Sequence, residues 1–194
     1  MVNKEPVTDE QIKDILVYIN GLRRSKMVRM MFFCSLNGMR SINFRSLQVK
    51  DVYNEDGSVK KIIDLKNDKN KGKFSAQYYV NNQFEKELKN YYPYLKEKWG
   101  EKFDSETYLF TSQKLNRPFH RVSICNLFHK LFHKFYIKGS SHMGRHIYIT
   151  RLIDNGINPF VVQKLVNHRQ INTTNRYYQT NTTKLQNAAE TVKF

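Results

Sequence analysis

Chemistry on a phosphate ester would need the residue types that this chain gathers mainly in its C-terminal third. That third reads Ser141-His142-Met143-Gly144-Arg145-His146, then Gln163-Lys164-Leu165-Val166-Asn167-His168, then Thr173-Thr174-Asn175-Arg176-Tyr177-Tyr178. Far upstream stands Asn37-Gly38-Met39-Arg40. Splitting a phosphodiester takes a nucleophile, neutralisation of the non-bridging oxygens and a proton for the leaving oxygen. Such transfer is mostly positioning and electrostatic stabilisation. Two guanidinium groups fork one phosphate bidentately, as lysine does not. A tyrosine oxygen suits the attack, because a phosphotyrosyl ester keeps the bond energy for the reverse step. Its phenol, with an ordinary pKa near 10, needs a base and nearby positive charge.

Those residues need elements to hold them, and the pattern supplies mostly helices. Thr8 with Gln11 forms a capping box, and Ile12, Ile15, Leu16 and Ile19 follow at helical spacing, with Gly21 closing the helix. Residues 25–36, rich in Met and Phe, read as a buried helix broken by Asn37-Gly38, and 41–47 as a short one. The period then changes to two. Residues 49–53, 59–65 and 74–81 read as strands of a three-stranded antiparallel sheet, with a turn at Asn54-Glu55-Asp56-Gly57. The second connection carries Lys66, Lys69, Lys71 and Lys73, a strongly basic hairpin tip. A helix over 83–92 is expected to stop before Pro93. The stretch 96–116 is unpatterned and reads as a surface excursion. Residues 122–136 form an amphipathic helix through Ile124, Leu127, Phe128, Leu131 and Phe135. Further helices are expected near 141–155, 159–166 and 172–179, with Pro159 suiting a first turn. The fold class is therefore α+β, mainly helical with a small sheet on one edge. There is no repeat, low-complexity tract or obvious interdomain linker.

Composition narrows the partner. Lys and Arg number 33 against 17 acids, a net charge of +16 over 194 residues, with 40% hydrophobic residues. That balance in a folded domain argues for a polyanionic partner, and DNA, RNA and an anionic membrane surface all qualify, against the plainer reading of a merely basic soluble protein. No run of about 18 apolar residues exists to span a bilayer. The polar, acid-bearing residues 1–10 are neither a signal nor a transit peptide. Cys34 and Cys125 sit within apolar helical patterns and read as small core residues of a reducing compartment. His129 and His133 stand four apart, but no third metal ligand accompanies them, so they read as part of a basic helix face.

The order of these motifs resembles the tyrosine recombinases, the phage integrases and Xer-type resolvases. Their pattern is His-x-x-Arg-His, a helix, a Gly turn, Gln-x-x-Leu-Gly-His, and Thr-Thr-x-x-Tyr ending nine residues after that histidine. Here Gly156-Ile157-Asn158-Pro159 is the turn, and Tyr177 lies nine beyond His168, which singles it out from the adjacent Tyr178. Asn37-Gly38-Met39-Arg40 looks like the family's Gly-Leu-Arg box. The resemblance runs from about Thr8 to about Thr191. It implies Arg40 and Arg145 on the scissile phosphate, His142 as base, His168 hydrogen-bonded to the phosphate and Tyr177 as nucleophile. A hairpin lysine protonates the leaving oxygen; Lys71, followed by Gly72, fits best, with Lys69 and Lys73 as alternatives or DNA contacts. It also implies no metal or other cofactor.

The same resemblance implies a catalytic domain over residues 1–180 and a tail, 181–194, exchanged between protomers. Leu185, Ala188, Ala189 and Val192 allow a short amphipathic helix there. The expected partner is double-stranded DNA, bound by a homo-tetramer that is weak or monomeric without it. The site of action would be the cytoplasm, on DNA. The family's N-terminal clamp domain is expected to be absent, as in an excised fragment or in the short recombinases that invert fimbrial promoters. The implied reaction is site-specific cutting and rejoining through a 3′-phosphotyrosine and a Holliday junction. Topoisomerase IB-like relaxation and a non-enzymatic DNA-binding regulator are the alternatives. Three positions depart from the family pattern. Asn167 replaces a glycine, Asn43 stands where an acid usually follows the first arginine, and Gly144 replaces an apolar residue.

Overall fold

The computed structural model describes residues 7–65, 75–112, 115–178, 186 and 189–191. The chain divides into two compact units, Met1–Tyr148 and Ile149–Phe194. Most of the 181–194 tail, including Leu185, Ala188 and Val192, lies outside the described residues.

The first unit opens with α1 (Asp9–Asn20), started by the expected Thr8–Gln11 capping box, and α2 (Ser25–Leu36). Short α3 (Ser41–Phe44) and α4 (Val49–Val52) follow, then β1 (Ile62–Leu65), β2 (Ala76–Tyr79) and α5 (Asn82–Trp99). After a 3₁₀ turn at Gly100–Lys102 comes α6 (Arg121–His133). Helix α7 (Met143–Asp154) begins in this unit. The core is a single cluster in which Phe32, Phe44, Phe110, Phe128 and Phe132 meet at centroid distances of 5.8–6.4 Å. Such pairs add about 0.5–1.5 kcal/mol each beyond their buried area. Phe44 of α3 meets Phe128 of α6, which in turn meets Phe32 of α2. A bidentate pair from Arg29 to Glu87, at 2.7 and 2.6 Å, joins α2 to α5.

Three expectations change here. The described residues contain two strands, not three, paired antiparallel from Ile62↔Tyr79 to Leu65↔Ala76. Residues 49–52 form one helical turn instead, joined to the chain before β1 by the Lys60 amide donating to the Val52 carbonyl at 2.9 Å and by an isolated Tyr53↔Val59 bridge. Local bonds decide this. Asp51 accepts the Gln48 amide at 2.8 Å, while the amides of Val49 and Lys50 donate to Thr107 and Ser105, both at 2.9 Å. Helix α5 runs through Pro93 to Trp99. Phe84, Leu88, Tyr91 and Leu95 form one buried stripe spanning the proline, which itself faces solvent. A proline inside a helix costs roughly 3 kcal/mol, and burying several such side chains at about 1.5–3 kcal/mol each offsets that. The 96–116 stretch is not a surface excursion: Thr107, Leu109, Phe110 and Thr111 are buried. Its sequence shows no period because isolated bridges, Gln48↔Tyr108 and Thr111↔Pro118, hold it.

The second unit holds the rest of α7, then α8 (Pro159–Leu165) and α9 (Ile171–Asn175). Asn158 caps α8 by accepting the Phe160 amide at 2.8 Å, with Pro159 in the first turn as expected. Ile149, Ile153, Val162, Val166 and Thr174 are buried among its described residues.

Candidate active site

Helix α2 ends where the first candidate arginine begins. Gly38 adopts φ 80°, and its amide donates to Ser35 while the Met39 amide donates to Cys34. This pair of bonds is a Schellman motif, which a residue without a Cβ closes at least cost. The chain then turns into α3 with Arg40 as N-cap, its carbonyl accepting from Asn43 and Phe44. Strand β2 is tied to the same segment. Asn37 donates to the Tyr79 carbonyl at 3.0 Å, Asn81 to the Asn37 side chain at 3.3 Å, and Asn43 to the Tyr78 hydroxyl at 2.7 Å. Asn43 is buried, so this neutral pair occupies a place where a carboxylate would pay a desolvation cost. Lys69, Lys71 and Lys73 lie outside the described residues.

The second arginine comes to the same corner. Arg145 is buried, and its Nη1 donates to the Gly38 carbonyl. Gly144 explains itself. A Cβ there would lie 2.4 Å from Ser35 Oγ and 2.7 Å from Ser35 Cβ. Helix α7 therefore lies against α2 too closely for any side chain at 144, which is why the apolar residue of the family pattern is absent.

His142 lies at the surface just before α7. Its imidazole pKa is lowered, first by desolvation and then by the positive charges of Arg145, Arg40 and Arg121. All three effects of charge favour the neutral ring, the form a general base must have. The structure thus brings Arg40, His142 and Arg145 together, and it adds Arg121, the first residue of α6, which the sequence reading did not single out. Nothing in the local sequence flags Arg121, because its partner lies twenty-one positions away along the chain.

In the second unit, α8 ends in the same motif. The Asn167 amide donates to Lys164 and the His168 amide to Gln163, with Asn167 at φ 54°. Asn is the residue after Gly most at ease in that conformation, so the departure from glycine keeps the turn. Gln163 also donates its side-chain amide to the His168 carbonyl at 3.2 Å. One residue thereby holds both backbone groups of His168. The His168 ring shares a 2.9 Å hydrogen bond between Nδ1 and Oγ1 of buried Thr174, and it stacks on Tyr177 at 6.5 Å and 25°. Tyr177 is half-buried, whereas Tyr178 is exposed. Elsewhere, the His129 and His133 rings stack at 6.0 Å, and no cluster of three or more metal-ligating side chains occurs among the described residues. Cys34 is buried and Cys125 half-buried, both as free thiols. No helix among the described residues is long and apolar enough to cross a membrane.

The family model for the phage integrase family matches residues 5–184, and the chain belongs to that family. No curated protein matches the sequence. The fold is shared with the Tn1549 transposon integrase in complex with transposon right end DNA, at TM-score 0.73 and 20% identity over 97% of this chain and 66% of that one. It is shared with the XerH site-specific recombinase bound to difH substrate, at 0.71 and 21% over 98% of this chain and 55% of that one. XerA recombinase gives 0.69 and 20% over 97% of this chain and 66% of that one. The chain therefore spans just under two-thirds or less of the length of these solved structures.

Proposed function

We propose that this chain is the catalytic domain of a tyrosine-type site-specific DNA recombinase, with residues 1–180 as that domain. The observation that carries the reading is the convergence of Arg40, Arg145 and Arg121 on His142. This is a strongly positive, partly desolvated corner suited to a phosphate, beside a base kept neutral. In the reaction, the Tyr177 oxygen attacks the scissile phosphorus and its proton passes to His142. The bond to the 5′ oxygen breaks, and that oxygen takes a proton from a hairpin lysine, Lys71 or else Lys69 or Lys73. A 3′-phosphotyrosine results. Arg40 and Arg145 neutralise the non-bridging oxygens, and His168 donates a hydrogen bond to the phosphate. Reversal against a partner strand completes one exchange, and two exchanges pass through a Holliday junction. The partner is duplex DNA in the cytoplasm, and the working assembly is a homo-tetramer on that DNA that exchanges the 181–194 tail. The structures of the Tn1549 transposon integrase with transposon right end DNA and of XerH bound to difH substrate support this partner.

The test is a suicide substrate. Nicked duplex DNA from the protein's own locus is incubated with wild type, Tyr177→Phe and Tyr178→Phe, then denatured and resolved on a gel. A protein–DNA adduct lost only in Tyr177→Phe supports the reading. Loss only in Tyr178→Phe moves the nucleophile by one residue, and no adduct on DNA that the protein binds overturns the enzymatic reading.

A further inference from the structure

Three segments deliver the groups that act on His142: the start of α3 after Arg40, the first turns of α6, and the turn before α7. Each also sends one small side chain to a common buried point. Ser41, directly after Arg40, donates through Oγ to Ser141 Oγ at 3.4 Å. Ser141, directly before His142, lies 3.4 Å from Cys125 Sγ in a hydrogen bond that either atom can donate. Cys125 sits one turn along α6 from Arg121, on the same face of the helix. Ser41 and Ser141 are 3% and 2% exposed, so neither hydroxyl reaches a substrate. A buried hydroxyl left without a partner costs about 1–3 kcal/mol, so each of these groups has reason to keep its neighbours in place. The sequence separations, 100 residues from Ser41 to Ser141 and 16 from Cys125 to Ser141, make this a tertiary device.

We infer that Ser141 is a positioning residue for the base: its hydroxyl, held by Ser41 and Cys125, fixes His142 at a set distance from Arg40 and Arg121. The inference rests on the proposed role of His142, but its geometry does not. The tie holds together the segments whose charges press on the ring. After desolvation, the positive charges of Arg145 on α7, Arg40 at the start of α3 and Arg121 on α6 act on the ring. Loosening the tie lets the imidazole swing toward water and away from Arg40 and Arg121, and both movements favour the protonated ring.

The experiment follows the His142 ring proton by NMR through a pH titration of the free protein. It compares wild type, Ser141→Ala, Ser41→Ala and Cys125→Ser, with His142→Gln identifying the signal. Ser141→Ala and Ser41→Ala are expected to titrate at higher pH than wild type, while Cys125→Ser, which keeps a donor and acceptor, stays close to wild type. Ser41→Ala breaks the same bond from its other end, so the test survives if Ser141→Ala fails to fold. Folded variants in which His142 titrates as in wild type overturn the inference. None of these readings needs DNA cleavage, so failure of the tie and failure of the recombinase reading are separable. Where the adduct does form, the acid limb of its pH profile moves up with the ring, and the rate at the plateau is retained.

Discussion

Placing alanine at position 144 tests the closest approach in the first unit, because two effects there have opposite signs. Gly144 has an ordinary helical backbone in the first turns of α7, where alanine would stabilise by about 0.5–1 kcal/mol over glycine on conformational grounds alone. Its Cβ, however, would lie 2.4 Å from Ser35 Oγ, 2.7 Å from Ser35 Cβ and 3.1 Å from the Ser35 carbonyl carbon. Two of these are backbone or backbone-attached atoms, so a rotamer change relieves only the first. Overpacking of this kind costs about 1–3 kcal/mol, leaving Gly144→Ala destabilised by roughly 1–2 kcal/mol. For a chain of this size that is about 2–8 °C in Tm. Ser35 Oγ is buried and makes no hydrogen bond among the described residues. Ser35→Ala should therefore be neutral or stabilising by up to about 1 kcal/mol. In a Ser35→Gly background, which removes both close side-chain atoms, Gly144→Ala should cost about 1 kcal/mol less than in wild type. Urea unfolding of the four proteins in this cycle measures the coupling. Adduct formation by Gly144→Ala should also fall, since the displaced turn carries Arg145 off the Gly38 carbonyl. A Gly144→Ala protein more stable than wild type, with no coupling to position 35, would refute the contact between α2 and α7.

Other expectations follow from the same geometry. Because His142 is lowered below its ordinary value near 6.5, adduct formation should fall only as pH drops through that lowered value and be level at neutral pH; a half-maximum above pH 7 counts against His142 as base. The linked stability has the same sign: the unfolded ring binds more protons below about 6.5, so stability declines as pH falls through that window, and His142→Gln should flatten the decline in a pH series of unfolding curves. Asn167→Ala should cost about 1 kcal/mol in urea unfolding, from the φ of 54°, whereas Asn167→Gly should be neutral or slightly stabilising; equal costs would remove the turn argument. With a net charge of +16, DNA binding should weaken steeply between low and moderate salt, and a flat response in a fluorescence-anisotropy titration would exclude a mainly phosphate-borne interface.

Local signals were legible in the sequence where the energetics are local. The Thr8–Gln11 box, the Ser25–Leu36 helix and the Asn37-Gly38 break all occur as the pattern indicates, since each depends on residues within one or two turns. Residues 49–53 misled because valine and tyrosine favour strands in general, while the Asp51 side chain and the carbonyls of 105 and 107 settle the outcome there. Pro93 misled for the converse reason: a buried stripe on the other face of α5 outweighs one proline facing solvent. Among the candidate residues, Arg40, His142 and Arg145 of the first unit and His168 and Tyr177 of the second were visible as types in order. What was not visible is what surrounds them. Arg121, the Ser41–Ser141–Cys125 contact and the fit of Gly144 on Ser35 join residues too far apart for any periodicity to report.

Both units place their candidate site residues by the same means. A helix stops in a left-handed residue, at Gly38 in one unit and Asn167 in the other, and the next amide bonds back to the last turn of the helix. The first unit uses the stop twice, because the carbonyl of Gly38 also receives Arg145. The second reinforces it with Gln163, which holds the amide and carbonyl of His168 from one position. A side chain emerging from such a stop is positioned by backbone hydrogen bonds and needs no rigid loop. That arrangement separates two kinds of change. Substituting the exposed end of a functional side chain alters chemistry while leaving the stop intact. Substituting Gly38 or Gln163, or placing at 167 a residue other than glycine, shifts the whole residue, so chemistry and stability should fall together.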